Sequence, residues 1–382
     1  MENIDPYLKI AMLGHKRIPS REGGIEVAVE ELAIRMVRLG HQVTCFNRNG
    51  HHVSGEEFDR EKLSEYKGLR LEYVFTLNHK GYAAMTSSIT AAIKAAFGKY
   101  DVVHFHAEGP CAMLWLPKLA GKKCICTVHG IDWARAKWRG IASRYIKLGE
   151  QIAAKYADEI IVLSKNVQQY FKDTYGRETR YIPNGVERPQ VRMSDVIIKK
   201  YDLVKDSYIL YLGRLVPEKG VHYLIESFKK IKTDKRLVIA GGTSDTDKYS
   251  DQIKELAVDD ERIIFTGFVQ GQMLEELYSN AYLYCLPSDL EGMPLSLLEA
   301  MSYGNCCLTS DIPECAEVVD DKAVLFKKGN VADLQKMLQV LVDDSATVKK
   351  YKESAADYIV SKFDWDEVVE RTLAIYGSRK KT

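Results

Sequence analysis

The sequence predicts an α/β fold built from two Rossmann-like, doubly wound domains facing across a cleft, and three observations carry that prediction. Short apolar runs rich in β-branched residues alternate with amphipathic segments along the whole chain. The alternation pauses once, at a Pro- and Gly-containing turn near Gly185, and then starts again. The length, 382 residues, is enough for two domains of ordinary size with real cores.

Taken in order, Lys9–Leu13 reads as a first strand. Ile25, Val29, Leu32, Met36 and Leu39 then recur at helical spacing, and Gly40 ends that helix. Val43–Phe46, Leu69–Phe75, Val102–Phe105, Lys123–Val128 and Glu159–Leu163 continue as strands, most of them separated by helical segments. Tyr181–Gly185 is a turn sequence and Glu187–Gln190 a linker, which sets a first domain at 1–187 and a second at 188–362. In the second, Tyr208–Leu212, Arg236–Ala240, Arg262–Phe265, Ala281–Cys285, Cys306–Thr309 and Ala323–Phe326 read as strands with helices between. Sheets of this kind bind ligands at the carboxyl ends of their strands.

Composition excludes several classes. With 46% hydrophobic and 28% charged residues the chain is an ordinary globular one, neither disordered nor collagen-like. No apolar run approaches the roughly 18 residues of a membrane-spanning helix. The opening Met1–Pro6 lacks the features of a secretory signal, so a cytoplasmic protein is expected. The net charge of +1 hides an asymmetry: residues 1–190 hold 28 Lys and Arg against 21 Asp and Glu, whereas the remainder is net acidic. A basic half suits nucleic acid, anionic lipid or a phosphorylated ligand; without a basic tail or a nucleic-acid motif, no nucleic-acid partner is expected. The eight cysteines form no CxxC pair and no zinc-type spacing, and read as reduced core thiols.

Three segments carry chemistry. Pro287–Gly304 follows a strand, and Pro294 suits the first helical position. Met293 is a poor N-cap and Gly292 offers no side chain, so the helix start exposes amides and a positive dipole end to either a phosphate or water. Beyond Leu295, Glu299 is the only charge on an apolar helix, and needs a partner: a ribose diol, a cation or an internal salt bridge. Leu212–Gly220 sets Arg214 and Lys219 at the end of a strand, a fork and a point charge fit for two phosphates or simply for solvent. Gly14–Glu26 is a basic loop with His15, Lys16, Arg17 and Arg21, in which Gly23 and Gly24 allow a ligand close to a helix N-terminus. It is not GxGxxG, and Asn47 and Arg48 stand where a dinucleotide site needs an acid, which argues against NAD.

Gly23–Gly24, Val128–Gly130, Ile182–Gly185, Gly213–Arg214 with Lys219–Gly220, and Glu291 with Glu299 eight positions on, all in this order, resemble glycosyltransferase family 4 from about Lys9 to Tyr376. The N-terminal stretch is similar to a bacterial subgroup that includes rhamnosyltransferases of surface-polysaccharide assembly. The resemblance implies the two-domain fold named GT-B, with the last helix, in 363–382, crossing back onto the first domain. It implies a retaining transfer of a hexose or deoxyhexose from a nucleotide-diphosphate sugar to a glycan or polyprenyl-diphosphate-linked acceptor, with no metal or other cofactor. Arg214 and Lys219 would clamp the diphosphate, Glu299 would hold the ribose, and Glu291 a hydroxyl of the transferred sugar. The amides of Gly292, Met293, Pro294 and Leu295 are placed by the same resemblance at the sugar and phosphate (Pro294 has no N–H to give), Gly24 near the diphosphate, and Phe268 and Val269 near the base. His129 would face the sugar near its anomeric centre, and Glu26, His106 and Glu108 would line the acceptor side.

Other readings stay open. Asp245-Thr-Asp247 has the form of a metal-binding DxD, but sits in a polar turn. His104 and His106, with Glu108 and His129, could build a metal-dependent hydrolase. Residues 133–147, five cations and three aromatics, suit an anionic membrane surface on the inner face of the plasma membrane, or an ordinary solvated helix. A nucleotide-sugar 2-epimerase or hydrolase, or a non-catalytic nucleotide-sugar binder, are the alternatives to a transferase.

Overall fold

The computed structural model describes residues 7–51, 55, 62–77, 79, 82–131, 133, 141–243 and 248–377. The chain forms two compact units, divided between Gly185 and Val186 and again between Asp364 and Trp365, so that the last helix belongs with the first unit.

The first unit holds an eight-stranded sheet. Its strands are β1 (Lys9–Leu13), β2 (Gln42–Arg48), β3 (Glu65–Tyr66), β4 (Leu69–Val74), β5 (Val102–His106), β6 (Lys123–Val128), β7 (Glu159–Val162) and β8 (Arg180–Tyr181), in the order β3-β4-β2-β1-β5-β6-β7-β8. All pairs are parallel except β3 with β4. Helices α1 (Gly24–Arg38), α2 (Tyr82–Phe97), α3 (Trp115–Leu119), α4 (Ile141–Tyr156) and α5 (Lys165–Tyr175) accompany them. Strand β5 is buried along its whole length, which explains its apolar run and makes His104 and His106 core residues. Two short strands escape periodicity: β3 is a two-residue edge strand paired with β4, and β8 ends at Tyr181, where the turn sequence begins.

The terminal helix, Trp365–Gly377, packs on α1. Trp365 is buried so tightly against Gly185 that a Cβ there would lie 2.6 Å from its ring, which is why the turn ends in glycine. The Arg35 guanidinium lies over the same ring, 5.4 Å from its centroid.

The second unit is a six-stranded, wholly parallel sheet. Strands β9 (Tyr208–Leu212), β10 (Arg236–Ala240), β11 (Ile263–Gly267), β12 (Leu283–Leu286), β13 (Cys307–Ser310) and β14 (Val324–Phe326) run in the order β11-β10-β9-β12-β13-β14. Helices α6 (Val196–Tyr201), α7 (Val221–Phe228), α8 (Lys248–Ala257), α9 (Gln272–Asn280), α10 (Leu295–Ser302), α11 (Pro313–Val319), α12 (Val331–Asp343) and α13 (Ser345–Lys362) accompany it. Its core is one cluster of Leu, Ile, Val and Tyr from both sheet faces. The parallel, doubly wound α/β prediction therefore holds in each unit.

All eight cysteines are buried and free. Burial pushes the Cys306 thiol up to about 12 and the others the same way where a shift is seen, so these are inert thiols, as their strand positions led one to expect. Among the described residues no helix is long and apolar enough to cross a membrane.

Candidate functional site

In both sheets the strand order reverses at one point, between β1 and β5 and between β9 and β12. Loops leaving the carboxyl ends of such a strand pair diverge and leave a crevice, the usual ligand position in open α/β sheets.

In the second unit the two loops are stitched together. The Asp289 amide donates to the Glu218 carbonyl at 2.8 Å, and Tyr223 donates to the Asp289 carboxylate at 3.1 Å. Gly220 has φ +65°, and a Cβ on it would stand 2.0 Å from the Pro287 carbonyl oxygen, so only glycine fits. That approach brings Lys219 onto Glu291: Nζ to Oε1 is 2.6 Å, with both side chains nearly buried. Ser288 donates to the same carboxylate oxygen at 2.6 Å, and its own carbonyl accepts from Ser310 at 2.5 Å. Both bonds fall on Oε1, so the carboxylate is held by one oxygen and has Oε2 for a ligand hydroxyl. Of the three N–H donors of Lys219, two remain for phosphate oxygens.

The resemblance gives Lys219 to a diphosphate; in the structure it already neutralises a neighbour. Arg214 is half-buried at the end of β9, and its carbonyl accepts from the Tyr211 hydroxyl at 3.0 Å. Helix α10 begins at Leu295 rather than at Pro294, which occupies the N-cap position with φ −79° and ψ 86°. The anion reading keeps its ground, because proline supplies no side-chain cap and the Leu297 and Leu298 amides turn inward to the Pro294 carbonyl, which leaves those of Leu295 and Ser296 at the helix start. Helices α5, α12 and α13 are capped by Ser164, Asn330 and Asp344, whereas α1, α6, α7, α9 and α11 share with α10 the lack of a side-chain cap. Glu299 is half-buried on α10 and has a protein partner, the Tyr278 hydroxyl at 3.2 Å; the Tyr278 ring stacks on Tyr303 at 5.2 Å. Gly292 and Met293 precede the helix, while Phe268 and Val269 follow the edge strand β11, with Val269 buried.

In the first unit, Gly14 leaves β1 with φ +112°, and a Cβ on it would lie 2.0 Å from the His106 carbonyl oxygen. His15 follows, buried, with Nε2 3.1 Å from Asn47 Oδ1. That oxygen also accepts the Ile18 amide, and Asn47 Nδ2 donates to the Ile18 carbonyl, so the amide is oriented and His15 must carry its proton on Nε2. Desolvation lowers its pKa to about 4, against the opposing pull of Glu26. His104 is held at both nitrogens, by Tyr376 of the terminal helix (2.5 Å) and by Thr127 (2.7 Å). His106 Nδ1 lies 3.1 Å from His129 Nε2.

Both ring nitrogens of His104 are thus engaged by hydroxyls, which removes it from any ligand set; among the described residues no three His, Cys, Asp or Glu side chains converge as a metal would need. Asp245 and Asp247 lie outside the described residues. Gly23 caps α1 in extended backbone, with no side-chain hydrogen bond, ahead of Gly24. Glu26 accepts the Lys16 amide at 2.8 Å and so pins the basic loop, and Glu108 is buried at the end of β5. Of residues 133–147 the structure describes Trp133 and the start of α4. Trp133 donates to Glu150 at 2.9 Å under the Lys147 ammonium, and Glu150 also accepts from Tyr170. Trp133 is tied to its own unit by these contacts.

Comparison with known proteins adds to this geometry. Residues 22–188 match the family model described as Glycosyltransferase Family 4, and residues 194–358 the one described as Glycosyl transferases group 1. The alpha-maltose-1-phosphate synthase of Mycobacterium tuberculosis is 29% identical over 97% of this chain and 99% of its own length. Sucrose-phosphate synthase from Thermosynechococcus elongatus shares the fold with a TM-score of 0.82 at 19% identity, covering 97% of this chain and 98% of that one. An Anabaena protein solved in complex with UDP-glucose does so with a TM-score of 0.79 at 17% identity, covering 96% of this chain and all of that one.

Proposed function

We propose, for a chain that is a glycosyltransferase of the GT-B type, that it moves a hexose or deoxyhexose from a nucleotide-diphosphate sugar to a glycan or lipid-linked glycan of the cell surface. The observation that carries the donor reading is the Lys219–Glu291–Ser288 cluster beside the uncapped start of α10. A cation with two donors to give, a carboxylate held by one oxygen and the leading amides of a helix without a side-chain cap form a complementary surface for a sugar diphosphate. The Anabaena relative bound to UDP-glucose supports the same class of donor.

In this reading Arg214 and Lys219 take the diphosphate and stabilise its charge as it leaves, which is where catalysis without metal draws its driving force. Glu291 Oε2 accepts a hydroxyl of the transferred sugar, Glu299 holds the ribose, and His129 works at the transferred sugar. Phe268 and Val269 face the base. Transfer proceeds with retention by front-face attack: the anomeric carbon–phosphate bond breaks, the acceptor oxygen bonds to the same face, and the departing phosphate takes the acceptor's proton. The protein contributes position and charge stabilisation.

The decisive experiment is a thermal-shift screen of UDP-, GDP-, ADP- and dTDP-sugars with EDTA present throughout. A ligand at about 100 times its Kd stabilises the fold by roughly 2.7 kcal/mol. One nucleotide class is expected to raise Tm without metal; a response that appears only with a divalent ion would overturn metal independence, and none under either condition would overturn the donor reading. Turnover of donor with no acceptor present would favour the epimerase or hydrolase instead.

In the same reading the protein works in the cytoplasm, and the composition of segment 133–147, five cations and three aromatics, supports a peripheral seat on the anionic inner membrane face. Flotation with vesicles containing anionic lipid, and none with neutral vesicles, is the expected result; equal recovery with both would remove the membrane contact.

A further inference from the structure

We propose that the amino end of the first sheet carries a second binding site, which takes the dianionic phosphate monoester of a soluble, sugar-sized molecule.

The topology assembles the site. Strands β1, β5 and β6 lie side by side and run the same way, so the residues at which they begin share one end of the sheet. Two backbone bonds join those beginnings: the Asp101 amide donates to the Lys9 carbonyl at 2.8 Å, and the Lys123 amide to the Asp101 carbonyl at 3.3 Å. A cavity of about 420 Å³ opens there, within the usual range for small-molecule pockets, and Lys9, Lys99 and Lys122 line it together with Asp101, Tyr7 and Tyr100. The length of β1, roughly 16 Å, separates it from the loop at Gly14.

Its walls are held in place. Tyr7 rests against Gly40, which has φ +95° and where a Cβ would lie 2.4 Å from the ring; Tyr100 rests against Gly98, where a Cβ would again lie 2.4 Å from the ring. The Phe46 ring meets Tyr100 edge-on at 6.1 Å. The two tyrosines give the cavity aromatic surface on which a sugar or base can pack.

The charges decide the ligand. The Asp101 carboxylate accepts the Lys9 amide at 2.7 Å and is fixed to the backbone. Among the described residues, none of the three ammoniums has an ion-pair or hydrogen-bond partner. Three lysines against one aspartate leave the cavity two positive charges, and a phosphate monoester near pH 7 carries about −1.5 to −2. Helices α2 and α3 end shortly before Lys99 and Lys122, and a helix end weakly favours a nearby cation. That accounts for single lysines in those turns, not for three ammoniums converging on one walled cavity. Segment 133–147, read above as the membrane seat, follows the carboxyl end of β6, the far end of the sheet, so the phosphate here belongs to a soluble ligand.

Acetylation of the full chain with N-hydroxysulfosuccinimide acetate, read lysine by lysine by mass spectrometry, tests the site without any nucleotide sugar. Ribose 5-phosphate in excess is expected to slow modification of Lys9, Lys99 and Lys122 together by about fivefold or more, and ribose itself is expected to leave them unchanged. Lys349 and Lys350, exposed on α13, are expected to react as before. Replacing Lys99→Gln and Lys122→Gln together, neither of them buried, is expected to remove the protection of Lys9. Equal slowing at Lys349 and Lys350 would reduce the effect to ionic screening and overturn the site. So would unchanged rates at all three lysines, or protection of Lys9 that survives the double substitution. Protection by vesicles containing phosphatidic acid, without any by the sugar phosphate, would assign the phosphate to a lipid headgroup and overturn the soluble ligand.

Discussion

Lys219→Met is expected to lower turnover at saturating donor by about 10²-fold or more and to cost about 3–5 kcal/mol of stability. The two losses have separate causes. Turnover falls because a cation aimed at the leaving diphosphate matters most when its charge is fully developed. Stability falls because Glu291, nearly buried, keeps only Ser288 once its 2.6 Å partner is gone. The second variant separates them. Adding Glu291→Gln removes the stranded charge, and should return most of the stability in urea unfolding while leaving turnover low. If Lys219→Met turned over normally, Lys219 would be a structural counter-ion only. If Glu291→Gln restored activity together with stability, the lysine's role would be to hold the glutamate rather than the phosphate.

The paired lysine marks how far the sequence could be read. Strand-helix alternation was legible because both sheets are buried on both faces, so their strands are continuous apolar runs of the kind seen in β5 and β9. The two-residue strands β3 and β8 were not, since a run that short has no period. Glu291, Lys219 and Glu299 stood out as charges in apolar or glycine-rich settings, and the structure brings the first two into contact. Their partners were less visible. Ser288 lies three positions before Glu291 and could have been suspected from that spacing, but Ser310 reaches the site from another strand. Tyr376 meets His104 across 272 positions, and nothing local in a tyrosine on a terminal helix announces such a contact. Pro294 shows the limit of a positional rule: its preference for the first helical turn was right to within one residue, and that residue decides which amides are free.

The histidine row makes the first unit acid-labile, and the sign of the effect follows from its depressed pKa values. In the folded chain His15 titrates at about 4 and His104 at about 3, with His106 also well below normal, whereas in the unfolded chain all three return to about 6.5. Below pH 6.5 the unfolded chain binds protons that the folded chain refuses. Stability is therefore full above about pH 7 and declines as pH falls towards 4, by up to about 1.4 kcal/mol per pH unit for each histidine and roughly 4 for the three together. The groups facing them do not rescue it. Glu26 pulls His15 upward, but Arg48 opposes it and burial outweighs both. His104 meets the hydroxyls of Tyr376 and Thr127 and the His129 ring, and the titratable groups that act on His106 among the described residues are His104, His129 and His15. Carboxylates with lowered pKa, Asp260 among them, add their own loss nearer pH 4, so the histidine share is read between pH 6.5 and 5. Urea midpoints taken at half-unit steps are expected to drop steeply across that window, and His106→Asn should flatten the slope by about a third. A midpoint that holds level from pH 7 to 5 would show that the imidazoles are hydrated or charged in the folded protein, and that the row is not held neutral.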